Sequence, residues 1–306
     1  MIEIVGMSEA PILVSGATGN VGREVVRTLC NAGRYVRALV TDPASAIRNA
    51  GAETSSRLSF ARFDFSDVST HGAAFTGATS MFLMRPPAIS DAGVINAAVD
   101  NAVHAGVRNV VFLSIQGAEH NPIVPHHAIE SHLRVLALRD PTFSYTFLRA
   151  AFFMQNLSTT HAADIREFND VFVPAGHGRT AFIDARDVAA AAAEVLQRTD
   201  RQEFKNAAFE LTGSEALTYR EIAAILTRVL GRPIIYSQPG AYRFYRRMRG
   251  RGYSRAFVAV MIALYTTSRV GLADHLSPEL SQLIGRDAIR FAAFAEDNTA
   301  AWILAV

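Results

Sequence analysis

The chain has 306 residues, half of them apolar, and a formal net charge of +2. That length and composition suit one large α/β domain with a smaller companion, and they exclude a disordered or repetitive chain. Of the 30 basic residues one, Lys205, is a lysine and 29 are arginines, so any mechanism that needs a lysine elsewhere is excluded by inspection.

Met1–Met7 carries an acid and no basic n-region, so no secretory leader is expected there, and the first strand is predicted only near Pro11. The lone cysteine, Cys30, has no partner for an internal disulfide, which fits a reducing cytoplasm. The longest apolar run, Ala256–Tyr265, is about half of the roughly twenty residues a bilayer span needs, so no membrane segment is expected.

Strands are predicted at Ile12–Ser15, Tyr35–Val40, Leu58–Phe63, Met81–Met84, Val110–Ser114 and Phe143–Leu148, each followed by a segment of helical length. They are apolar almost throughout, as strands of a parallel sheet covered on both faces must be. Gly33 and Gly106 mark left-handed helix ends. The fold class expected is α/β: a doubly wound parallel-sheet Rossmann domain over 10–156, onto which 181–201 packs back, and a smaller α/β domain over 157–306. In the second half, Phe182–Asp184 and Phe209–Thr212 read as strands. Thr218 and Glu221 have capping-box spacing, Leu217 and Ile222 that of a hydrophobic staple, and Gly231 ends the helix ahead of Pro233. Arg243–Arg255 reads as a basic linker before a helical tail.

Directly after the first strand comes Gly16-Ala17-Thr18-Gly19-Asn20-Val21-Gly22, opening the helix Arg23–Asn31. Gly16 permits the sharp turn, Gly19 lets the backbone approach a diphosphate, and Gly22 lets the helix lie close on the sheet. The free N–H groups and dipole of such a helix start favour an anion by about 0.3–2 kcal/mol, and Thr18 and Asn20 add side-chain donors. Position between strand and helix is what turns three glycines into a dinucleotide signature. Asp42, twenty residues past Gly22, is placed to bond a ribose hydroxyl; Asp42-Pro43 is equally a helix N-cap followed by proline. Asp64 is a candidate for the adenine edge, with Phe65 against the ring.

These residues, with Leu83-Met84-Arg85-Pro86-Pro87, Ser114, His120 to His126, Leu148-Arg149, Phe152 to Asn156, Phe182 to Ala189 and Glu210 to Gly213, resemble the NmrA-like branch of atypical short-chain dehydrogenases/reductases over residues 10 to 302. The resemblance implies a Rossmann fold that holds NAD or NADP. Its cofactor contacts would come from Gly16, Thr18, Gly19, Asn20, Val21, Gly22, Thr41, Asp42, Asp64, Phe65, Met84, Arg85 and Pro86. The family holds both NAD(P)H-dependent reductases of quinones and related acceptors and redox-sensing regulators, so membership implies fold and cofactor class rather than catalysis. Many relatives carry an arginine directly after the second strand for the 2′-phosphate of NADP. Here Thr41 stands there, which with Asp42 tilts the expectation slightly toward NAD, leaving Arg37 and Arg23 as other phosphate partners. Ala128 stands where relatives often have a lysine.

No tyrosine has a lysine partner four residues on, because Arg201 precedes Lys205 at that spacing, so alcohol–ketone chemistry by a Tyr-Lys pair is excluded. Hydride transfer to a quinone-like electrophile asks less: the cofactor carries the difficult step and water can supply the final proton. His127, His126 and Ser114 are candidate donors near strand C-termini, although the histidines could instead begin a helix, Glu130 be its first-turn acid and Ser114 end a strand. No metal site is expected. Pro87, Phe152, Phe153 and Asn156 suggest an aromatic, proline-walled pocket for a flat acceptor. The expected function is therefore NAD(P)H-dependent reduction of a small aromatic or quinone-like acceptor, and the rival is a non-catalytic dinucleotide sensor acting through a protein partner. Six arginines among aromatics in 243–255 superficially suggest nucleic acid, but near-neutral charge and the lack of a motif favour a solvated face or a lid over an anionic ligand.

Overall fold

A computed structural model of the chain describes residues 9–50 and 55–303; the Met1–Met7 segment lies outside them. In chain order the main elements are β1 (Ile12–Ser15), α1 (Asn20–Asn31), β2 (Val36–Val40), α2 (Pro43–Ala50), β3 (Leu58–Arg62), α3 (His71–Phe75), β4 (Ser80–Met84), α4 (Ala92–His104), β5 (Asn109–Ile115), α5 (Pro125–Arg139) and β6 (Ser144–Ala150). There follow β7 (Phe152–Phe153), α6 (Gln155–Ser158), α7 (Ala162–Phe168), β8 (Arg179–Ile183), α8 (Ala185–Gln197), β9 (Ala207–Leu211) and β10 (Ala216–Thr218). The chain ends in α9 (Tyr219–Leu230), α10 (Ala241–Gly250), α11 (Arg255–Arg269), α12 (Glu279–Ile284) and α13 (Phe291–Asp297).

The contacts divide the chain into two compact units, one holding residues up to Ala150 with Val188–Glu210, the other Ala151–Asp187 with the residues from Leu211 onward. The sequence suggests a boundary at 156 and a return over 181–201; this division falls at 150 and returns over 188–210.

The first unit is built on a seven-stranded sheet of order β3-β2-β1-β4-β5-β6-β9, and β1 to β6 pair in parallel. This is the doubly wound α/β architecture that the apolar strand runs predict. The order reverses between β1 and β4, where the chain leaves β1 toward β2 on one side and later returns to the other. Such a switch opens a crevice at the strand C-termini. Under one face lies a core of Leu13, Leu39, Phe63, Phe75, Leu83, Ile95, Phe112, Leu133 and Phe147.

The second unit carries a small sheet of order β10-β8-β7, with β8 antiparallel to β10 and parallel to β7, among helices. Its core gathers Phe172, Phe182, Tyr219, Leu226, Phe244, Phe291 and Trp302. The capping box forms as its spacing predicts: Thr218 Oγ1 accepts from Glu221 N at 3.2 Å while Glu221 accepts from Thr218 N at 2.7 Å. The expected linker at 243–255 is instead helix α10 followed by the start of α11. Phe244 and Met248, four residues apart, bury one side of α10, and the arginine density around them hides that period. No helix among the described residues is long and apolar enough to cross a membrane.

Candidate functional site

The glycine loop occupies the crevice where the strand order switches. Gly16 leaves β1 with φ +62°, a left-handed turn open to glycine, and Gly19 N donates to Gly16 O at 2.9 Å to close it. Helix α1 then begins at Asn20, three residues ahead of the predicted start. Its N-cap is Gly19, without a side-chain cap, and no acidic residue lies in its first turn. Both usual ways of satisfying the leading N–H groups of a helix from its own side chains are therefore missing, which leaves them for an outside anion. Gly22 sits so close to the loop that a Cβ there would lie 2.1 Å from Gly16 O. Thr18 and Asn20 are exposed, whereas Val21 is buried and can offer only its amide. Ser15 Oγ accepts from Met84 N at 2.7 Å, tying the ends of β1 and β4 together. The Met84 methyl reaches over Gly16, filling the space a Cβ would need. A loop whose three glycines carry no side chains, before an uncapped helix start, fits a diphosphate.

At the end of β2, Thr41 and Asp42 are exposed. Asp42 Oδ1 accepts from Ser45 N at 3.1 Å, so the carboxylate caps α2 with one oxygen and keeps the other. Asp64 half caps its own turn, with Oδ1 accepting from Ser66 N at 2.8 Å. Its carbonyl accepts from His71 Nε2 at 2.9 Å. Phe65 departs from expectation: it is buried edge-on against Phe63 at 4.7 Å and belongs to the core, not to a ring-stacking surface. Arg37 is also removed as a phosphate partner, because Nη1 donates to Ala74 O and Thr76 O at 3.1 and 2.7 Å. Arg23 is exposed in α1.

Around the C-termini of β4 and β5 the candidate donors separate. Ser114 Oγ donates to Glu130 Oε1 at 2.7 Å, so its proton is already committed. His127 Nδ1 lies 2.9 Å from Ala118 O; a carbonyl only accepts, so this nitrogen carries the proton, and Nε2 of a neutral ring is an acceptor. His126 stacks on Phe112 with centroids 5.9 Å apart, and its buried Nδ1 has no partner among the described residues. Burial first and the Arg85 cation second push the His126 pKa down to about 4, against a smaller opposing pull from Glu130. His126 is thus neutral near pH 7. Arg85 folds onto its own loop, donating from Nη1 to Pro86 O at 3.1 Å and to Ile89 O, which holds the 86–89 turn shut. Pro86 is half-buried and Pro87 exposed.

Glu130 is not the first-turn acid expected from its place after His126. It is fully buried on the face of α5 shared with Ile129 and Leu133. Arg149 donates to it from Nε at 3.1 Å and from Nη2 at 2.9 Å, and Arg134 Nη2 at 2.8 Å. Arg149 Nη1 also reaches Glu119 and Glu210 at 3.2 and 3.3 Å. Burial alone would raise the Glu130 pKa, but the bonds from Arg149 and Ser114 outweigh it and hold the carboxyl below its ordinary range. Sequence reasoning missed this cluster; its signal was a carboxylate inside an apolar helical stripe and an arginine closing an apolar strand.

In the second unit Phe152 and Phe153 form β7, and Phe152 packs on that unit's core. Asn156 is exposed on α6. The arginines of 243–255 are partly accounted for as well. Arg247 and Arg251 both donate to the fully buried Asp164, at 2.8 Å and at 2.6 and 2.9 Å, and the Arg247 guanidinium lies 3.5 Å from the Phe172 ring centroid. Two of the six therefore hold α10 to α7 and are not part of a solvated face or a lid.

The NmrA-like family matches residues 8–270 of the chain. NAD(P)H azoreductase from Xenophilus azovorans is 32% identical over 295 residues, covering 95% of this chain and 99% of that protein. Among solved structures, an NADPH-dependent quinone oxidoreductase from Escherichia coli, complexed with NADPH, superposes with a TM-score of 0.79 at 24% identity, over 94% of this chain and 99% of that one. Triphenylmethane reductase from Citrobacter sp., complexed with NADP(H), gives 0.77 at 23% identity, over 96% and 100%. At those identities the two structures show the shared fold.

Proposed function

This chain belongs to the NmrA-like family, and from that premise we propose that it is an NAD(P)H-dependent oxidoreductase that reduces a small aromatic or quinone-like acceptor. The observation that carries the proposal is the uncapped start of α1, cleared by Gly16, Gly19 and Gly22 at the strand-order switch. The names of the azoreductase, quinone oxidoreductase and triphenylmethane reductase support the acceptor class.

The amides of Asn20, Val21 and Gly22 would hold the diphosphate, with the Thr18 and Asn20 side chains beside them. The second carboxylate oxygen of Asp42 would accept from a ribose hydroxyl, and Asp64 would face the adenine edge. With an acid and Thr41 after β2, NADH is the slightly favoured coenzyme. When bound, the reduced nicotinamide supplies the hydride. Around it Met84 and Pro86 would form a wall, with Pro87 reserved for the acceptor. Of the three candidate donors, Ser114 Oγ and His127 Nδ1 already give their protons to Glu130 and to Ala118 O, so His126 would bond the acceptor as a neutral imidazole, and water would deliver the proton that completes the reduction. A neutral donor can stabilise a developing oxyanion without itself changing charge.

Purified protein mixed with NADH or NADPH and a panel of quinones, enones, azo dyes and triphenylmethane dyes should consume the reduced coenzyme with at least one acceptor. Tight coenzyme binding with no oxidation by any of them would overturn the reductase and leave the dinucleotide sensor. For the acceptor that reacts, kcat/KM is expected to stay flat between about pH 6 and 8, because His126 stays neutral across that range. An inflection near about pH 6.5 that vanishes in His126→Gln would show the ring titrating in its ordinary range and acting as the acid.

A further inference from the structure

We infer that Arg62 admits the 2′-phosphate of NADP(H) to this site, in competition with Asp67, so that the Arg62–Asp67 pair sets the ratio of the two coenzymes. The inference rests on the reading of Gly16–Gly22 as the dinucleotide loop. Thr41 leaves the end of β2 without a cation, and Arg37, earlier in the same strand, is committed to Ala74 O and Thr76 O. The next strand supplies one. Parallel pairing places Arg62 beside Val40, and Phe63 N continues the ladder to Val40 O at 2.8 Å. The last residue of β3 therefore flanks the last residue of β2, just ahead of Thr41 and Asp42.

Arg62 is loosely held. Its side chain is 70% exposed, and Nη2 lies 3.9 Å from Asp67 Oδ2, at the outer limit of an ion pair. Asp67 has firmer bonds of its own, because Oδ1 accepts from Ser69 N at 3.1 Å and from Ser69 Oγ at 2.6 Å. A phosphate dianion brought beside Asp42 meets a carboxylate and is repelled unless a cation turns toward it. A guanidinium presents a planar fork of donors that matches phosphate, and an exposed, weakly paired one gives up little on moving. Binding NAD(H) leaves Arg62 with Asp67, whereas binding NADP(H) takes it away.

The test is calorimetric titration of the full chain with NADH and with NADPH, in the wild type and in Arg62→Gln, Asp67→Asn and Arg23→Gln. Asn at 67 preserves the cap on Ser69 while removing the charge. Loss of a charge-assisted phosphate contact should weaken NADPH in Arg62→Gln by about tenfold or more, with NADH unchanged. Asp67→Asn should tighten NADPH selectively, and raising the salt should lower the wild-type affinity for NADPH more than for NADH. Equal effects on both coenzymes, no effect, or a selective loss in Arg23→Gln instead would each overturn the role of Arg62 while NADH binding keeps the dinucleotide site standing. A wild type that binds neither coenzyme would overturn both.

Discussion

Arg149→Met is expected to lower the stability of the sheet-bearing unit by about 3–5 kcal/mol, because it takes two of the three guanidinium bonds from a buried carboxylate and leaves the partly exposed Arg134 to hold the charge. Glu130 is fully buried, and Arg149 meets both of its oxygens while also reaching Glu119 and Glu210. The network ties α5 to β5 through Ser114, and to β6 through Arg149 itself. Adding Glu130→Gln to Arg149→Met should recover part of the loss, since a neutral amide needs no counter-charge and can still accept from Ser114. The pH dependence gives a second readout. With Arg149 present the folded pKa of Glu130 lies below 4.5, so its contribution is in place above that pH and disappears as pH falls through the folded value. Without Arg149 only Ser114 and Arg134 oppose burial, so the folded pKa moves up from its wild-type value and the variant loses less stability than the wild type as the carboxyl takes up a proton. The gap between wild type and variant should be widest near neutrality and narrow toward pH 4.5. Urea unfolding at several pH values measures it, and a gap that widens on acidification, or a double variant no better than the single one, would count against the buried-charge account.

Local features of this fold were legible because they depend on neighbours in sequence. The Ile12–Ser15 strand, the left-handed Gly33, Gly106 and Gly231, and the Thr218–Glu221 capping box each follow from a few adjacent residues. The start of α1 was harder. Asn20 and Gly22 are poor helix formers, so intrinsic propensity puts the start at Arg23, but close packing of Gly22 on Gly16 brings the first turn into the helix. Long-range pairing was not legible. Nothing near Glu130 announces Arg149, nineteen residues away on a strand, and Asp164 meets Arg247 and Arg251 from more than eighty residues off. The same limit applies to the candidate site. The glycine loop carries its own signature, whereas the commitment of Ser114 to Glu130, of Arg37 to α3 and of Phe65 to the core depends on chain that sequence spacing does not connect.

The second large effect is expected at Gly22→Ala, where two contributions to the free energy have opposite signs. Alanine is a better helix former than glycine by about 1 kcal/mol, so propensity alone predicts a more stable protein. Geometry predicts the reverse. The new methyl would lie 2.1 Å from Gly16 O, 2.7 Å from Gly16 C and 3.0 Å from Ala17 Cα, all of them backbone atoms that no rotamer change can clear. Either α1 must tilt away from the loop or the Gly16 turn must open, and overpacking of that kind costs about 1–3 kcal/mol, enough to exceed the propensity gain. Both movements also pull the first-turn amides off the diphosphate. Losing two charge-assisted hydrogen bonds should weaken NADH and NADPH alike by about a hundredfold or more. Gly33→Ala is the control. It places a side chain at φ +79° with nothing within 4 Å, so it should cost about 1–2 kcal/mol of stability through backbone strain and leave coenzyme affinity unchanged. Unfolding and coenzyme titration of both variants separate the two effects. A Gly22→Ala protein that is as stable as wild type and binds coenzyme as tightly would mean that the loop does not hold the diphosphate in the way its packing implies.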